Sequence, residues 1–148
     1  MNDKAKELGL NNTHFINPEG LHHKKQYTTA SDMGKLLNEA LSNEEFKEIF
    51  TKETYITTPT IDHPNGILLE STVLSRLNND IESNVRIIGG KSGTTYEAGQ
   101  CWATLGIVNE QEYIVIVMGA PLKDIRNPDH AQIADTIKIY KKIQSHEY

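Results

Sequence analysis

The sequence predicts an α+β fold in which helices pack on an antiparallel sheet of at least three strands. Three runs rich in β-branched and apolar residues, Val85 to Thr95, Cys101 to Val108 and Tyr113 to Met118, supply the strands. The turn formers Asn109-Glu110-Gln111-Glu112 join the last two runs. Helical patterns lie before this β-rich half and after it, and helices, then a small antiparallel sheet, then a terminal helix is an α+β order.

The first element is a short helix with Met1, Ala5 and Leu8 on one face and Gly9 placed to end it. Asn11 to Lys25 reads as a loop, punctuated by Asn17-Pro18-Glu19-Gly20, that leads to Tyr27-Thr28-Thr29. Thr29 with Asp32 three residues on forms a capping box, and Met33, Leu36, Leu37, Ala40 and Leu41 then line one helical face. Ser42 and Glu45 repeat that device ahead of a third, short helix expected to bury Phe46, Ile49 and Phe50. Tyr55 to Ile61 predicts a strand interrupted by Pro59, and His63-Pro64-Asn65-Gly66 a turn before the apolar Ile67-Leu68-Leu69. Ser71 to Asn84 has no legible period. After the three strands, Asn127 is expected to cap a helix starting at Pro128, with Ile133, Ala134, Ile137 and Tyr140 as its buried stripe.

Composition fits a single domain spanning 1–148. The chain has 148 residues, 37% of them hydrophobic and 24% charged, which is enough to close one core. A formal charge of -5 leaves no basic stripe for nucleic acid. No run approaches the ~18 consecutive apolar residues of a membrane helix. Met1-Asn2-Asp3-Lys4 is polar and is not a secretory signal. The single cysteine, Cys101, cannot form an internal disulfide and reads as a small core residue.

Chemistry concentrates in Lys91-Ser92-Gly93-Thr94, which sets a cation, a hydroxyl and a bare backbone side by side, a combination suited to an anionic, peptide-like ligand. Gly90-Lys91-Ser92 also imitates the tail of a phosphate-binding loop. That motif requires a glycine where Val85 stands and a helix after the lysine, whereas Gly93-Thr94-Thr95 favours a strand. His14, His22 and His23 are near in sequence, but adjacent His22 and His23 point apart and no cysteine or acidic pattern completes a ligand set, so no metal site and no cofactor is expected.

Several separated stretches resemble one family. They are Ala5-Lys6-Glu7-Leu8-Gly9-Leu10, Asn12-Thr13-His14-Phe15, Asn17-Pro18, Gly20-Leu21, Tyr27-Thr28-Thr29-Ala30 with Asp32-Met33, and Gly90-Lys91-Ser92-Gly93-Thr94-Thr95 followed by Ala98-Gly99 and Cys101. Tyr113 to Ala120 and the helix from Pro128 continue the likeness. In this order they resemble the serine D-alanyl-D-alanine carboxypeptidases, low-molecular-mass penicillin-binding proteins with the β-lactamase and transpeptidase-like fold. That family carries a Ser-x-x-Lys nucleophile, a Ser-x-Asn-type loop and a Lys-Thr/Ser-Gly strand. No serine here is followed three positions later by lysine or two later by asparagine, so only the third motif is present.

The resemblance implies that residues 1–148 are the C-terminal portion of such a catalytic domain, without its nucleophile-bearing part, and that the chain alone is inactive. It implies that Lys91 supplies positive charge to the substrate carboxylate and the proton network, and that Ser92 donates to the same carboxylate region. Gly93 would let the substrate lie along the strand, and the Thr94 amide would be an oxyanion donor. In the full-length protein the implied ligands are peptidoglycan stem peptides ending in D-Ala-D-Ala and β-lactams, the reaction is hydrolysis of the terminal D-Ala through an acyl-enzyme, and the location is outside the cytoplasmic membrane. A second reading is a non-catalytic module that binds peptide or peptidoglycan stems along the same strand edge.

Overall fold

The computed structural model describes residues 1–77 and 84–146, so part of the illegible Ser71–Asn84 stretch lies outside the described residues. Its main sheet has the antiparallel order β3-β4-β5, from Val85–Thr95, Gly99–Val108 and Gln111–Ala120. A separate hairpin pairs β1 (Thr54–Ile56) with β2 (Leu68–Glu70), and the described residues also form the α-helices α1 Asn2–Glu7, α2 Ala30–Leu41, α3 Glu44–Phe50 and α4 Ala131–Ser145. A 3₁₀ turn, Leu74–Arg76, follows the β1–β2 hairpin. No helix among the described residues is long and apolar enough to cross a membrane.

Strand register decides what each face of the sheet meets. Gln100, Trp102, Thr104, Gly106 and Val108 alternate along β4 and are all buried, as a strand covered on one face by a helix requires. Tyr140 of α4 covers that face: its hydroxyl lies 3.1 Å from Thr104 Oγ1 and its ring sits over Gly106. On the opposite face, α2 approaches β5 where Gly34 meets Ile116, and α3 approaches β3 where Phe50 meets Gly89. A bulge between Ile87 and Gly89 offsets the β3–β4 register there.

Several boundaries differ from the sequence reading for identifiable reasons. The β4–β5 connection closes in two residues, because Asn109 (φ 48°) and Glu110 (φ 67°) adopt the doubly left-handed turn that matches strand twist; Gln111 and Glu112 therefore join β5. The expected 55–61 strand shortens to Thr54–Ile56, and Ile61 is fully exposed. The cap of α3 is Asn43, whose side chain accepts from Phe46 N at 2.9 Å, while Ser42 instead closes α2 by donating to Glu39 O at 2.6 Å. The helix has only seven residues and buries none of them fully, with Phe46 37% and Ile49 68% exposed; the side chains of Phe46 and Phe50 stack on each other instead. Met1 is likewise exposed, leaving Ala5 and Leu10 to anchor the first segment.

Helix α4 begins three residues later than Pro128. His130 takes a left-handed conformation (φ 58°) at the cap, and the chain before it is held by Gln100, which accepts from His130 N at 3.0 Å. Tyr140 is buried as expected, but its companions in the buried stripe are Gln132 and Thr136 rather than Ile133, Ala134 and Ile137. Spacing of four residues puts these three on one line, and Thr136 satisfies its own hydroxyl by donating to Gln132 O at 2.8 Å. Cys101 is half-buried, its neighbour Trp102 being the core residue at 1% exposed.

Burial raises the Tyr140 phenol to about 12, opposed in part by its Thr104 hydrogen bond. An unfolded tyrosine ionises near ~10. The folded chain therefore holds the proton longer, and stability that is intact below pH ~10 declines as pH rises through about 12. Urea unfolding across that window is expected to lose up to ~3 kcal/mol, and Tyr140→Phe should flatten this slope. An unchanged slope in the variant would assign the alkaline loss to other groups.

Candidate functional site

The Lys91–Thr94 segment occupies the second half of β3, the outer strand of the main sheet. Its register against β4 pairs Lys91 with Ala103, Ser92 with Trp102, Gly93 with Cys101 and Thr94 with Gln100. Successive strand residues face opposite ways. Lys91 accordingly projects on the α2 and α3 side and Ser92 on the α4 side. The flexible arm of Lys91 curls back so that Nζ donates to Ser92 O, which returns the ammonium to the strand edge. Lys91, Gly93 and Thr94 are exposed and Ser92 is half-buried.

Three glycines of β3 lack a Cβ for different reasons. A Cβ on Gly89 would stand 2.7 Å from Phe50 O, and one on Gly90 would stand 2.6 Å from Val73 Cγ1 and 3.0 Å from Ala103 O, so both are required by packing inside this chain. A Cβ on Gly93 would meet nothing within 4 Å. Packing inside the described chain places no such demand at Gly93, and the backbone there is open to approach from outside, as glycine in a ligand-facing strand permits.

The strand is braced from the sequence on both sides. Ser71 and Thr72 follow β2 directly; Ser71 N donates to Glu53 O at 2.8 Å, and Thr72 Oγ1 lies 2.9 Å from Ser92 Oγ. Val73 is fully buried against Gly90. At the other end Ala98 N donates to Thr95 Oγ1 at 3.0 Å, and Gly99 (φ +68°) turns the chain into β4, where a Cβ would strike Ala120 O at 2.6 Å. Opposite Thr94, the buried Gln100 donates to Pro121 O and Asp129 Oδ1, both at 2.6 Å. Sequence reasoning passed over Thr72 and Gln100, because neither belongs to a periodic or local motif and their partners stand 20 to 30 residues away.

Of the arginines between Asn65 and Lys91, Arg86 lies at the far end of β3, about 17 Å from Lys91 at ~3.3 Å per residue. Arg76 ends the exposed 3₁₀ turn. Two broad clefts among the described residues also lie elsewhere, one along Ala134, Ile137 and Lys141 of α4 and one between Lys47, Leu74 and Arg86. His14 stacks on Tyr27 across an isolated bridge, with His22 and His23 in the intervening loop. Among the described residues no three His, Cys, Asp or Glu side chains converge as a metal site.

Comparison with known proteins gives this geometry a family. The profile described as D-alanyl-D-alanine carboxypeptidase matches residues 1–122. The D-alanyl-D-alanine carboxypeptidase DacF of Bacillus subtilis is 31% identical over 98% of this chain, which spans 37% of that protein. The D-alanyl-D-alanine carboxypeptidase DacC of Escherichia coli is 36% identical over 85% of this chain, which spans 29% of that protein. This chain therefore covers about a third of the length of the curated relatives it matches. The fold agrees with solved structures: the D-alanyl-D-alanine carboxypeptidase of Mycobacterium tuberculosis superposes with a TM-score of 0.71 at 23% identity, over 96% of this chain and 51% of that one. The DacD carboxypeptidase of Francisella tularensis gives 0.70 at 21% identity, over 95% and 42%. The sheet and helices are thus part of the penicillin-binding, transpeptidase-type architecture, and the chain belongs to the D-alanyl-D-alanine carboxypeptidase family.

Proposed function

We propose that residues 1–148 form the ligand-positioning portion of a serine-type D-Ala-D-Ala carboxypeptidase domain, with β3 as the strand along which a peptide ending in D-Ala-D-Ala lies. The observation that carries this reading is Gly93, a glycine whose missing side chain leaves open space beside an exposed lysine on an outer strand. An extended peptide adds to such an edge through main-chain hydrogen bonds, and its terminal carboxylate then meets the Lys91 ammonium and the Ser92 hydroxyl. The Thr94 amide is the oxyanion donor in this reading, an interaction worth ~3 kcal/mol in a transition state once a nucleophile creates the charge.

The whole protein would hydrolyse the terminal D-Ala of peptidoglycan stem peptides through an acyl-enzyme, accept β-lactams as analogues, and work outside the cytoplasmic membrane. No serine of this chain stands in a Ser-x-x-Lys pattern, so the 148-residue chain has no residue placed to be acylated. Incubation with a penicillin followed by intact-mass measurement is expected to show no covalent adduct, and a stoichiometric adduct would overturn this assignment.

Binding separates a positioning strand from an inert one. Titration with an N-acylated peptide ending in D-Ala-D-Ala, followed through the Gly93 and Thr94 amide resonances, should saturate. Lys91→Ala should weaken it about 10-fold or more, as loss of a charge-assisted hydrogen bond implies. Saturation without dependence on Lys91 would place the carboxylate elsewhere. The open edge at Gly93 also supports a non-catalytic peptide-binding module, which would show the same titration and no turnover in the whole protein.

A further inference from the structure

We propose that Thr72 is a positioning residue for the ligand carboxylate, acting through Ser92; the inference rests on the reading of β3 as the peptide-binding strand. The two hydroxyl oxygens are 2.9 Å apart on the α4 side of the sheet, joined across 20 residues of sequence. The turn that brings Thr72 there is fixed independently of the hydroxyl pair. Ser71 N donates to Glu53 O at 2.8 Å, Ser75 N to Ser71 O at 3.0 Å, and Leu74 N to Ser71 Oγ at 3.3 Å. Next to Thr72, Val73 is completely buried against Gly90, two residues from Ser92, where no side chain could replace the glycine hydrogen without striking Val73. The backbone on both sides of the hydroxyl contact is therefore seated, and Thr72 approaches Ser92 from a single direction.

Proton arithmetic gives the contact a function. A hydroxyl has one proton to donate and two lone pairs to accept with. A carboxylate accepts only, so Ser92 can bind one only by spending its proton on it. With Ser92 donating to the anion, its own oxygen needs a donor, and Thr72 is the neighbour placed to supply one. The chain Thr72 to Ser92 to carboxylate then runs in a single direction, each bond polarising the next. Without Thr72 the Ser92 side chain is free to sample its other staggered rotamers and pays the loss of that freedom on binding.

Thr72→Val keeps the branched shape and removes the hydroxyl; Thr72→Ser keeps the hydroxyl. Two measurements on the 148-residue chain test the proposal. The first needs no ligand: Hα–Hβ couplings of Ser92 should report one rotamer in the wild type and in Thr72→Ser, and an average in Thr72→Val. The second is titration of the N-acylated D-Ala-D-Ala peptide. Thr72→Val is expected to weaken binding about 5-fold, the net worth of one hydrogen bond, and Thr72→Ser to restore it. In the Ser92→Ala background the Thr72→Val effect should shrink below about 2-fold, because the residue it acts through is gone. Equal weakening in both backgrounds would mean that Thr72 touches the ligand itself or merely supports the fold, and overturns the proposal. Unchanged Ser92 couplings in Thr72→Val overturn it whatever the affinities. Wild-type chain that fails to bind the peptide overturns the reading of β3 and this inference with it, whereas wild-type binding that Thr72→Val leaves intact overturns the inference alone.

Discussion

Gly106→Ala is expected to destabilise the chain by ~3 kcal/mol, at the upper end of what overpacking a core costs. The added Cβ would stand 2.6, 2.7 and 2.8 Å from Cε1, Cζ and Oη of Tyr140. Ring atoms have no torsion with which to retreat, and this ring is 1% exposed and tied at its hydroxyl to Thr104 Oγ1 at 3.1 Å and to Tyr113 O at 3.3 Å. The clash is relieved only if α4 moves off the sheet, which loosens both hydrogen bonds and opens space beside Val108 and Val115, members of the same core cluster. Urea unfolding of Gly106→Ala should show the loss at the midpoint with the slope unchanged. Pairing it with Tyr140→Leu, which removes the obstructing atoms, should make the two costs less than additive. Gly93→Ala is the control: its Cβ meets nothing, so stability should hold within ~0.5 kcal/mol while peptide binding falls. A Gly106→Ala variant as stable as that control would show that α4 does not rest on β4 as described.

The difference between these two glycines also marks how far the sequence could be read. β3 was legible to the residue, since the β-branched and apolar positions from Val85 to Thr95 outweigh its glycines and the helix a phosphate loop would need is missing after Lys91. The Lys91–Thr94 strand and its family resemblance were legible because they are local motifs. The stripe of α4 was legible only at Tyr140: apolar spacing favours Ile133, Ala134, Ile137 and Tyr140, and the helix buries Gln132 and Thr136 with that tyrosine, because the ring fitted over Gly106 aligns the residues four and eight positions before it with the sheet. Its start was displaced for a similar reason, a non-local hydrogen bond donated by His130 N to Gln100 Oε1 overriding the local Asn127-Pro128 signal. Helix α3 shows the converse. Its apolar residues promised burial, but a two-turn helix meets the sheet chiefly where Phe50 lies against Gly89, and Ile49 is left facing outward. Thr72 was illegible because hydroxyl pairs 20 residues apart leave no period or spacing to detect.

Gln100→Leu is the second substitution expected to have a large effect, ~2–4 kcal/mol, although it preserves side-chain volume and adds apolar surface to a fully buried position. The loss comes from three hydrogen bonds that leucine cannot make: the amide donated to Pro121 O and Asp129 Oδ1, both at 2.6 Å, and the carbonyl accepting from His130 N at 3.0 Å. His130 N is the entry to α4 and Pro121 the exit from β5, so one side chain on β4 ties together the connection between them. The hydrogen bond from Gln100 is also the first cause holding the Asp129 carboxyl below its ordinary value, followed by the Ala131 amide. A carboxyl with a depressed folded pKa contributes stability that is present above the unfolded value, ~3.9, and is lost as pH falls through the folded one. The wild type should therefore lose stability below pH ~4 through this group, and Gln100→Leu, having already lost the interaction, should be less sensitive to acid there. Urea unfolding at neutral and acid pH, with the Asp129 carboxyl followed by carbon NMR, measures both consequences. Since Gln100 stands opposite Thr94 in the strand register, release of this tie should also broaden the Thr94 amide resonance, at the oxyanion end of the proposed peptide strand. Neutral-pH stability equal to wild type with an unmoved Asp129 titration would mean that the 121–130 connection is held by contacts other than Gln100.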